Sequence, residues 1–381
     1  MSDHTLAAAA VDVAAIAGRC AAAAEENGRL DPDVVRALVA AGFARHFVPT
    51  EHGGAAGTFT ELMRAVATIG EVCTATAWCA SLSASMTRMA AAFLPPAGAA
   101  KVFADGPDAF IVGSVTPLGK AEVVDGGWRL SGRWQYISAV EFSDWALLCG
   151  LVDTDGAVES KLFAVPRSGY SIDKTWHNIG MRATGSDTVI VEDQFVPTVL
   201  AFDRADLFAG RTAEPAEKIA DCYSAPLLAV NGLSFVVPAL GAARGAQRGF
   251  VGYIAGKIRT APTLPGVPGV QGNRNSYDGA LARTAAEIDA VGLLLDRAVA
   301  IADQGAAVTP LEAAQNLRDC AVAIDLLVTA VDRIFRQSGT TGQSLNGPLQ
   351  RIWRDVNSIS THMAIQFEPA ARGYSEQLLK L

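Results

Sequence analysis

The periodicity of the sequence changes twice along its 381 residues, and this constrains the fold more than any single motif. From residue 6 to about residue 104 the chain is rich in alanine and has helical periodicity. Residues 110–203 consist of short runs of β-forming residues, and the DGG at 125–127 has the composition of a hairpin turn. Long apolar-periodic segments then follow at 219–258, 277–303, 310–338 and 347–378.

This order predicts an α+β protein that is mainly helical. We expect an N-terminal helical domain (1–109), a central β domain (110–215) and a C-terminal helical bundle (216–381). Several closely spaced strands indicate a small antiparallel sandwich or barrel. Four long helices with short connections indicate a four-helix bundle, in which a loop at 260–276 separates the first two helices.

Charge and cysteine content exclude several classes of protein. A net charge of -8 would repel a phosphate backbone, so we expect no nucleic-acid partner. The N-terminal segment carries Asp3 and Asp12 and lacks the basic start of a signal peptide, and no uninterrupted apolar stretch reaches membrane-spanning length. The six cysteines form neither a CxxC pair nor a cluster with metal-ligand spacing. We therefore expect a cytoplasmic protein with reduced thiols, no membrane association and no metal.

Four segments, in this order, resemble those of the acyl-CoA dehydrogenase superfamily of flavoproteins. They are VPTEHGG (48–54), GRWQYIS (132–138), GMRATGSDTVIVEDQFVP (180–197) and GPLQRIWRDV (347–356). Each segment alone is weak, but the four together in sequence are specific. The resemblance covers nearly the whole chain and implies the fold with a helical domain, a β domain and a helical bundle.

The catalytic base of the dehydrogenases is absent from this sequence. In most relatives the base is the Glu of a Tyr-Glu-Gly motif in the last helix, and that triplet falls here on His362, Met363 and Ala364. A minority of relatives carry the Glu on the first bundle helix, but no Asp or Glu occurs between Asp221 and Asp278. Removal of a proton alpha to a thioester needs such a carboxylate. Dehydrogenase activity is therefore disfavoured.

The remaining motifs are similar to those of a different branch, the oxygenase components of two-component flavin-dependent monooxygenases. CTATAWCASL (73–82), Gly113 with Ser114, and LQRIWRDVNSISTH (349–362) carry this resemblance. It implies that a separate NAD(P)H-dependent reductase supplies reduced flavin, which traps O2 as a C4a-hydroperoxide. One oxygen atom then passes to a small aromatic or amine-bearing molecule. We expect this reaction to belong to secondary metabolism.

The resemblance also implies which residues contact the flavin. In GRWQYIS, Ser138 is expected to place its hydroxyl at flavin N5, where reduction changes the protonation of the flavin, and Tyr136 and Ile137 flank it. The alternative is that Ser138 only ends a strand. Further implied contacts are Ser114, Thr184, Ser186, Arg259, Gly339 and Gly342.

Some of these implied contacts have simpler explanations. Thr184 and Ser186 could merely turn the chain, and the glycine pair in RQSGTTGQ (336–343) could form a plain turn between helices. In relatives the arginine corresponding to Arg259 crosses to a neighbouring subunit, which predicts a homotetramer. RQSGTTGQ lacks a glycine and a glutamine of the relatives' segment, which favours reduced FMN over FAD as the cofactor.

His362 is the implied substrate-facing residue. On a helix, Asp355, Ser358 or Ile359, and His362 would share one face, which could look into the flavin cavity. His362 is expected to accept a hydrogen bond or proton from a substrate OH or NH. The alternative is a solvated helix residue. Trp78 and Trp134 are expected to wall the cavity, although bulky aromatic residues are more often part of a core.

Two rival functions stay open at this point. One is a flavin dehydrogenase or oxidase that uses another base, which would hold oxidised flavin tightly. The other is a flavin-free cyclase or binding scaffold, which would bind flavin in neither redox state. The affinity for oxidised and reduced FMN and FAD, measured without oxygen, separates all three.

Overall fold

The structure is a computed structural model that describes residues 5–154, 156–260 and 274–380. Residues 261–273, which make up most of the loop predicted at 260–276, lie outside the described residues.

Helices form the first part of the chain, as the periodicity predicts. They are α1 (Leu6–Asn27), α2 (Pro32–Ala41), α3 (Phe59–Gly70), α4 (Thr74–Phe93) and α5 (Pro96–Val102). Their starts carry recognisable signals, because Asp31 caps α2 in front of Pro32, and Thr58 and Glu61 form a reciprocal capping box at α3. Helix α4 is buried over most of its length, so it forms a central wall of the molecule.

The middle of the chain forms one hydrogen-bonded sheet. Its strands are β1 (Ile111–Val124), β2 (Gly127–Ile137), β3 (Trp145–Thr154), β4 (Ala157–Pro166), β5 (Ser171–Asp173), β6 (Asp187–Pro197) and β7 (Ala201–Asp203). The strand order is β5-β6-β2-β1-β3-β4-β7. The predicted hairpin at DGG joins β1 to β2, with Val124 paired to Gly127 and Gly126 at φ 76°. The expectation of a purely antiparallel arrangement is wrong, because β1 pairs with β3 in parallel while β2 leaves for the opposite side of β1.

Helices return after the sheet. They are α6 (Arg204–Ala209), α7 (Asp221–Ser224), α8 (Leu227–Thr260), α9 (Arg274–Ala302), α10 (Pro310–Gln337), α11 (Gly339–Gly342), α12 (Leu349–Ser360) and α13 (Phe367–Leu379). Helix α8 packs against α9, α10, α3 and α4, so the bundle and the first helices share one apolar core. We propose the domain division 1–109, 110–215 and 216–381, since the type of element changes near these positions.

Two helices are longer and more apolar than the sequence analysis allowed. By length and composition alone, Leu6–Asn27 and Leu227–Arg259 could each cross a membrane. In the fold, 83% of the apolar part of α8 is buried inside the protein, and α1 places its alanines against α3. The apolar length of α8 is therefore explained by its position at the centre of the core.

The fourth predicted bundle helix, 347–378, is interrupted. Helix α12 ends at Ser360, and α13 begins at Phe367. At the break the hydroxyls of Ser360 and Thr361 donate to the backbone oxygens of Asn357 and Ser358, and such bonds compete with continuation of a helix. The Gln366 amide donates to the carbonyl oxygens of residues 360 and 362, which a helix end leaves unsatisfied.

The sheet core provides a test of the packing. A Cβ on Gly119 would lie 2.2 Å from the Trp134 ring, whereas a Cβ on Gly249 in α8 would meet nothing within 4 Å. Gly119→Ala should lower the free energy of unfolding by about 1–3 kcal/mol through overpacking. Gly249→Ala, the matched control, should raise it by about 0.5–1 kcal/mol. Guanidinium denaturation of both variants checks this, and equal effects would contradict it.

Candidate functional site

Ser138 lies directly after β2, where the backbone takes unusual conformations. Tyr136 has φ 67° and Ala139 has φ 56°, both in the left-handed region that non-glycine residues rarely adopt. The N–H of Ala139 donates to the carbonyl of Thr184 at 2.7 Å. This bond joins the end of β2 to the loop at 180–186, and residues held in such backbone conformations cluster at functional sites.

Three hydroxyl groups form a continuous hydrogen-bonded row, which we call the hydroxyl chain (Ser138, Ser186 and Thr184). Ser138 Oγ lies 2.8 Å from Ser186 Oγ, and Ser186 Oγ lies 2.6 Å from Thr184 Oγ1. Thr184 Oγ1 donates to the Met181 carbonyl at 2.8 Å, and Trp78 Nε1 donates to Ser138 Oγ at 3.0 Å. The chain therefore runs from a helix residue to a loop carbonyl, and its one half-buried member is Ser138.

Helix α12 holds the same loop from the other side. Asp355 Oδ1 accepts the Met181 N–H at 2.6 Å, and Arg354 donates to the Ile179 carbonyl and pairs with Glu25. Burial raises the pKa of the Asp355 carboxyl to about 7, against the opposing effect of the Met181 hydrogen bond. Asp355 thus anchors the loop. The side chain was predicted to line a substrate pocket, but it is only 4% exposed.

Ser358 lies one turn beyond Asp355 on the same face of α12, as the periodicity predicts. A Cβ added to Gly180 would lie 2.3 Å from the Ser358 hydroxyl oxygen. This face of the helix therefore packs on the loop at 180–186. Ser358 itself is half-buried beside this loop, and its place in the substrate pocket stays a prediction.

His362 lies in the break between α12 and α13, not on a helix as predicted. Its ring stacks on Phe235 of α8, with the centroids 4.0 Å apart at 28°, and meets Trp78 edge-on at 5.8 Å. Phe235 and Trp78 also contact each other at 5.2 Å. The helix break is what turns the imidazole toward α4 and α8. A solvated position on a helix surface is thereby ruled out.

The hydrogen-bonding of His362 differs from the expected role. Its Nδ1 accepts the N–H of Ala364 at 3.2 Å, so the neutral ring carries its hydrogen on Nε2. Burial lowers the pKa of His362 to about 4, which keeps the ring neutral near pH 7. In this arrangement the ring nitrogen that stays free is a donor, which differs from the predicted role as an acceptor.

Several other predicted residues are buried and cannot present a side chain to a ligand. Trp134 is fully buried in the sheet, where its Nε1 donates to the Cys149 carbonyl at 2.7 Å, so it is a core residue and not a cavity wall. Ile137 is 0% exposed, Thr184 1% and Ser186 4%. Thr184 and Ser186 act within the hydroxyl chain rather than on a surface.

The predicted flavin contacts that remain accessible lie on several elements of the fold. Tyr136 is 68% exposed beside Ser138, Ser114 is half-buried in β1, and Arg259 is exposed in the last turn of α8. Gly339 has φ 57° and open space where a Cβ would be. A large exposed aromatic residue beside a hydroxyl with a free lone pair fits a flat cofactor such as a flavin.

Gly342 has a different explanation. A Cβ there would lie 2.7 Å from the Ser338 side chain, so this glycine is required by packing between α10 and α12. The turn alternative accounts for Gly342, whereas the open space at Gly339 leaves room for a ligand.

Two cavities have linings that differ from this set of residues. One of about 650 Å³ is polar, but its charges are largely paired, since Glu141 contacts both Arg29 and Lys174, and Lys174 also reaches Asp187. The other, of about 380 Å³, lies between the loop at 49–56 and Tyr223. Neither contains Ser138 or His362. Among the described residues no three His, Cys, Asp or Glu side chains are grouped to hold a metal ion.

Comparison with known proteins identifies the fold family. The model of the acyl-CoA dehydrogenase N-terminal domain matches residues 5–94, and that of the C-terminal domain matches residues 233–367. The oxygenase subunit HsaA of a flavin-dependent monooxygenase from Rhodococcus jostii (strain RHA1) is 31% identical over 89% of this chain and 89% of its own length. The chain belongs to the acyl-CoA dehydrogenase superfamily.

Within this superfamily the relatives are oxygenases. The oxygenase component of an FADH2-dependent resorcinol hydroxylase from Rhizobium sp. (strain MTP-10005) is 29% identical over 94% of this chain and 90% of its own length. The crystal structure of 3-HSA hydroxylase from Rhodococcus sp. RHA1 superposes with a TM-score of 0.91 at 27% identity, covering 100% of this chain and 98% of that one.

The acyl-CoA dehydrogenase fold and the monooxygenase prediction are thereby confirmed. The chain is the oxygenase component of a two-component flavin-dependent monooxygenase, which uses reduced flavin and O2 and depends on a separate flavin reductase. These relatives support neither a dehydrogenase with another base nor a flavin-free protein. Consistently, among the described contacts of His362, Trp78 and Phe235 no carboxylate appears that could serve as a base.

Phe235 is the member of the aromatic cluster that the sequence analysis missed. It lies within the long apolar helix α8 and resembles any core residue in its sequence context. Its contact with His362 joins residues 127 positions apart, so no local pattern marks it.

The imidazole of His362 should titrate far below its usual range. With 13Cε1-labelled histidine, the signal of His362, one of the five histidines, should stay constant from pH 8 to 5 and show the Nε2–H form. It should begin to move only as the pH falls toward about 4, because burial disfavours the charged ring. His362→Gln identifies the signal by removing it. A midpoint near 6.5 for that signal would contradict the burial.

Proposed function

We propose that this oxygenase hydroxylates a phenol-like aromatic substrate. The observation that carries the proposal is the position of Trp78, whose Nε1 bonds to Ser138 while its ring contacts His362. One indole thus separates the proposed flavin side from the proposed substrate side. A group bound against His362 would lie near whatever Ser138 holds, and catalysis of oxygen transfer needs that proximity.

The side chains around His362 favour an aromatic over an amine-bearing substrate. Phe235 and Trp78 offer aromatic surfaces on which a ring can stack. A protonated amine would need a carboxylate partner, and none contacts this cluster in the described part of the chain. The relatives named for resorcinol and p-hydroxyphenylacetate hydroxylation act on phenols by their names.

His362 is proposed to act as a hydrogen-bond donor. Its Nδ1 is held by Ala364, so Nε2–H is free to donate to the oxygen of the phenol. A bond from N–H to an ionised oxygen is stronger than one to a neutral oxygen, so it favours the phenolate. The phenolate ring is the more nucleophilic form, and when bound the reduced flavin supplies the activated oxygen.

For the flavin we propose contacts from Ser114, Tyr136, Ser138, Arg259 and Gly339. Ser138 offers the hydroxyl oxygen, Tyr136 an exposed ring, and Gly339 a backbone that a ligand can approach closely. The sequence argument favours FMN, whereas the FADH2 dependence in the name of the resorcinol hydroxylase favours FAD. We also propose an NAD(P)H-dependent reductase as the partner and the cytoplasm as the location.

The test of the function uses the full chain with a flavin reductase, NADH and O2. A panel of phenols, their O-methyl ethers and aromatic amines is offered with FAD and, separately, FMN. We expect a hydroxylated product from at least one phenol and none from its ether, since the ether cannot become a phenolate. Oxygenation of amines but of no phenol would overturn the proposed substrate class.

The role of His362 can be tested by a pair of variants. His362→Gln keeps an N–H donor of similar reach, whereas His362→Leu keeps the bulk and loses the donor. With a phenol that the panel identifies as a substrate, His362→Leu should slow product formation in a single turnover by roughly ten- to a hundredfold. More of the O2 should then be released as hydrogen peroxide. His362→Gln should recover part of the rate. Reduced-flavin affinity serves as the control for folding, and a wild-type rate in His362→Leu would remove His362 from the mechanism.

Arg259 and the oligomeric state form a further prediction. Arg259 is exposed at the end of α8, and in the proposed homotetramer it reaches the flavin of a neighbouring subunit. Arg259→Ala should weaken reduced-flavin binding about tenfold without changing the mass measured by light scattering. Exposed Arg64 of α3, replaced in the same way, is the control. A fully active monomer at micromolar concentration would contradict the tetramer.

A further inference from the structure

The hydroxyl chain has a fixed direction. A carbonyl oxygen can only accept, so the hydrogen of Thr184 points to Met181. A hydroxyl has a single hydrogen, so Thr184 must accept from Ser186. Ser186 has then used its own hydrogen and must accept from Ser138.

Ser138 is left with one unused hydrogen-bonding position. Its hydrogen is given to Ser186, and one of its two lone pairs accepts from Trp78 Nε1. The second lone pair has no partner in the described part of the chain. Toward a ligand, Ser138 is therefore an acceptor and not a donor.

We infer that Thr184 and Ser186 are positioning residues that make this oxygenase selective for reduced flavin, by fixing Ser138 as a hydrogen-bond acceptor. The inference rests on the proposed contact between Ser138 and flavin N5. Reduced flavin carries a hydrogen on N5, which the free lone pair of Ser138 can accept. Oxidised flavin has only a lone pair on N5 and meets another lone pair there.

The burial of the chain supports this reading over a direct contact. Thr184 and Ser186 are 1% and 4% exposed, so they do not touch a ligand themselves. The end of the chain is anchored, because Asp355 accepts the N–H of Met181 and thereby fixes the loop that presents the Met181 carbonyl. The selectivity for reduced flavin is thus set by the carbonyl of Met181, which is three hydrogen bonds away from Ser138.

Thr184→Val tests the direction. Valine has the shape of threonine but cannot accept from Ser186, so the Ser186 hydrogen turns to Ser138. Both lone pairs of Ser138 are then occupied, and its own hydrogen faces the ligand. The measurement is the ratio of the dissociation constants for oxidised and reduced flavin, taken without oxygen, with FAD and with FMN. We expect Thr184→Val to lower this ratio roughly tenfold or more.

Two further variants complete the test. Thr184→Ser keeps the hydroxyl and should keep the wild-type ratio, which a general loosening of the loop would not do. Ser186→Ala removes the acceptor of the Ser138 hydrogen and should shift the ratio in the same direction as Thr184→Val. It therefore provides the same test if Thr184→Val does not fold. If the wild-type protein prefers reduced flavin and both Thr184→Val and Ser186→Ala keep its ratio, the inference is overturned while the proposed function stands. If the wild-type protein binds flavin in neither state, the proposed function fails with it.

Discussion

The hydrogen bond from the Met181 N–H to the buried carboxylate of Asp355 is the contact on which the site depends. It joins α12 of the bundle to the loop that follows β5. Met181 in turn presents its carbonyl to two donors, the hydroxyl of Thr184 and the indole of Trp176. Loss of the Asp355 carboxylate would free the Met181 backbone and so weaken both of these hydrogen bonds. A buried carboxylate is costly unless it is hydrogen-bonded, so Asp355 is at this position because the loop needs it.

The loop and the strand end that it meets both have unusual backbone conformations. Met181 and Gly185 lie on the left-handed side around Thr184, as Tyr136 and Ala139 do around Ser138. Conformations of this kind cost of order 1–3 kcal/mol each for a non-glycine residue. They persist because the bond between Ala139 and the Thr184 carbonyl and the hydroxyl chain hold both segments together. The same contacts place Ser138 at a half-buried edge where a cofactor can reach it.

Trp78 divides the site into two environments. On one side its N–H enters a row of hydroxyls, and on the other its ring completes an aromatic cluster with Phe235 and His362. The row supplies directed hydrogen bonds, whereas the cluster supplies a flat, uncharged surface and keeps the imidazole neutral. An oxygenase needs both, because activated oxygen must be kept from water and delivered to an organic ring.

Much of the fold was predictable from local patterns. Apolar periodicity predicted the helices and the Asp-Gly turn predicted the β1–β2 hairpin, since both patterns depend on neighbours a few residues apart. The parallel pairing of β1 with β3 was not predictable, because it follows from which side of β1 the strand β2 occupies.

The candidate site was predictable in its residue types but not in its arrangement. Motif resemblance selected Ser138, Trp78 and His362, and the absence of a carboxylate from residues 362–364 decided against dehydrogenase chemistry. It also selected Trp134, which the sheet buries, and it missed Phe235, whose contact with His362 spans α8 and the α12–α13 break.

The sequence by itself determined the order of elements, the family and the chemical groups available, because each is written in local composition and spacing. Only the tertiary structure decided that the last helix breaks before His362, that Ala364 occupies Nδ1, and that the hydroxyl chain ends on a carbonyl. Those features set which atoms can donate and which can accept. Hydrogen-bond direction is a property of the partners that folding brings together, and Ser138 and Ser186, which lie 48 positions apart in sequence, become partners only in the folded chain.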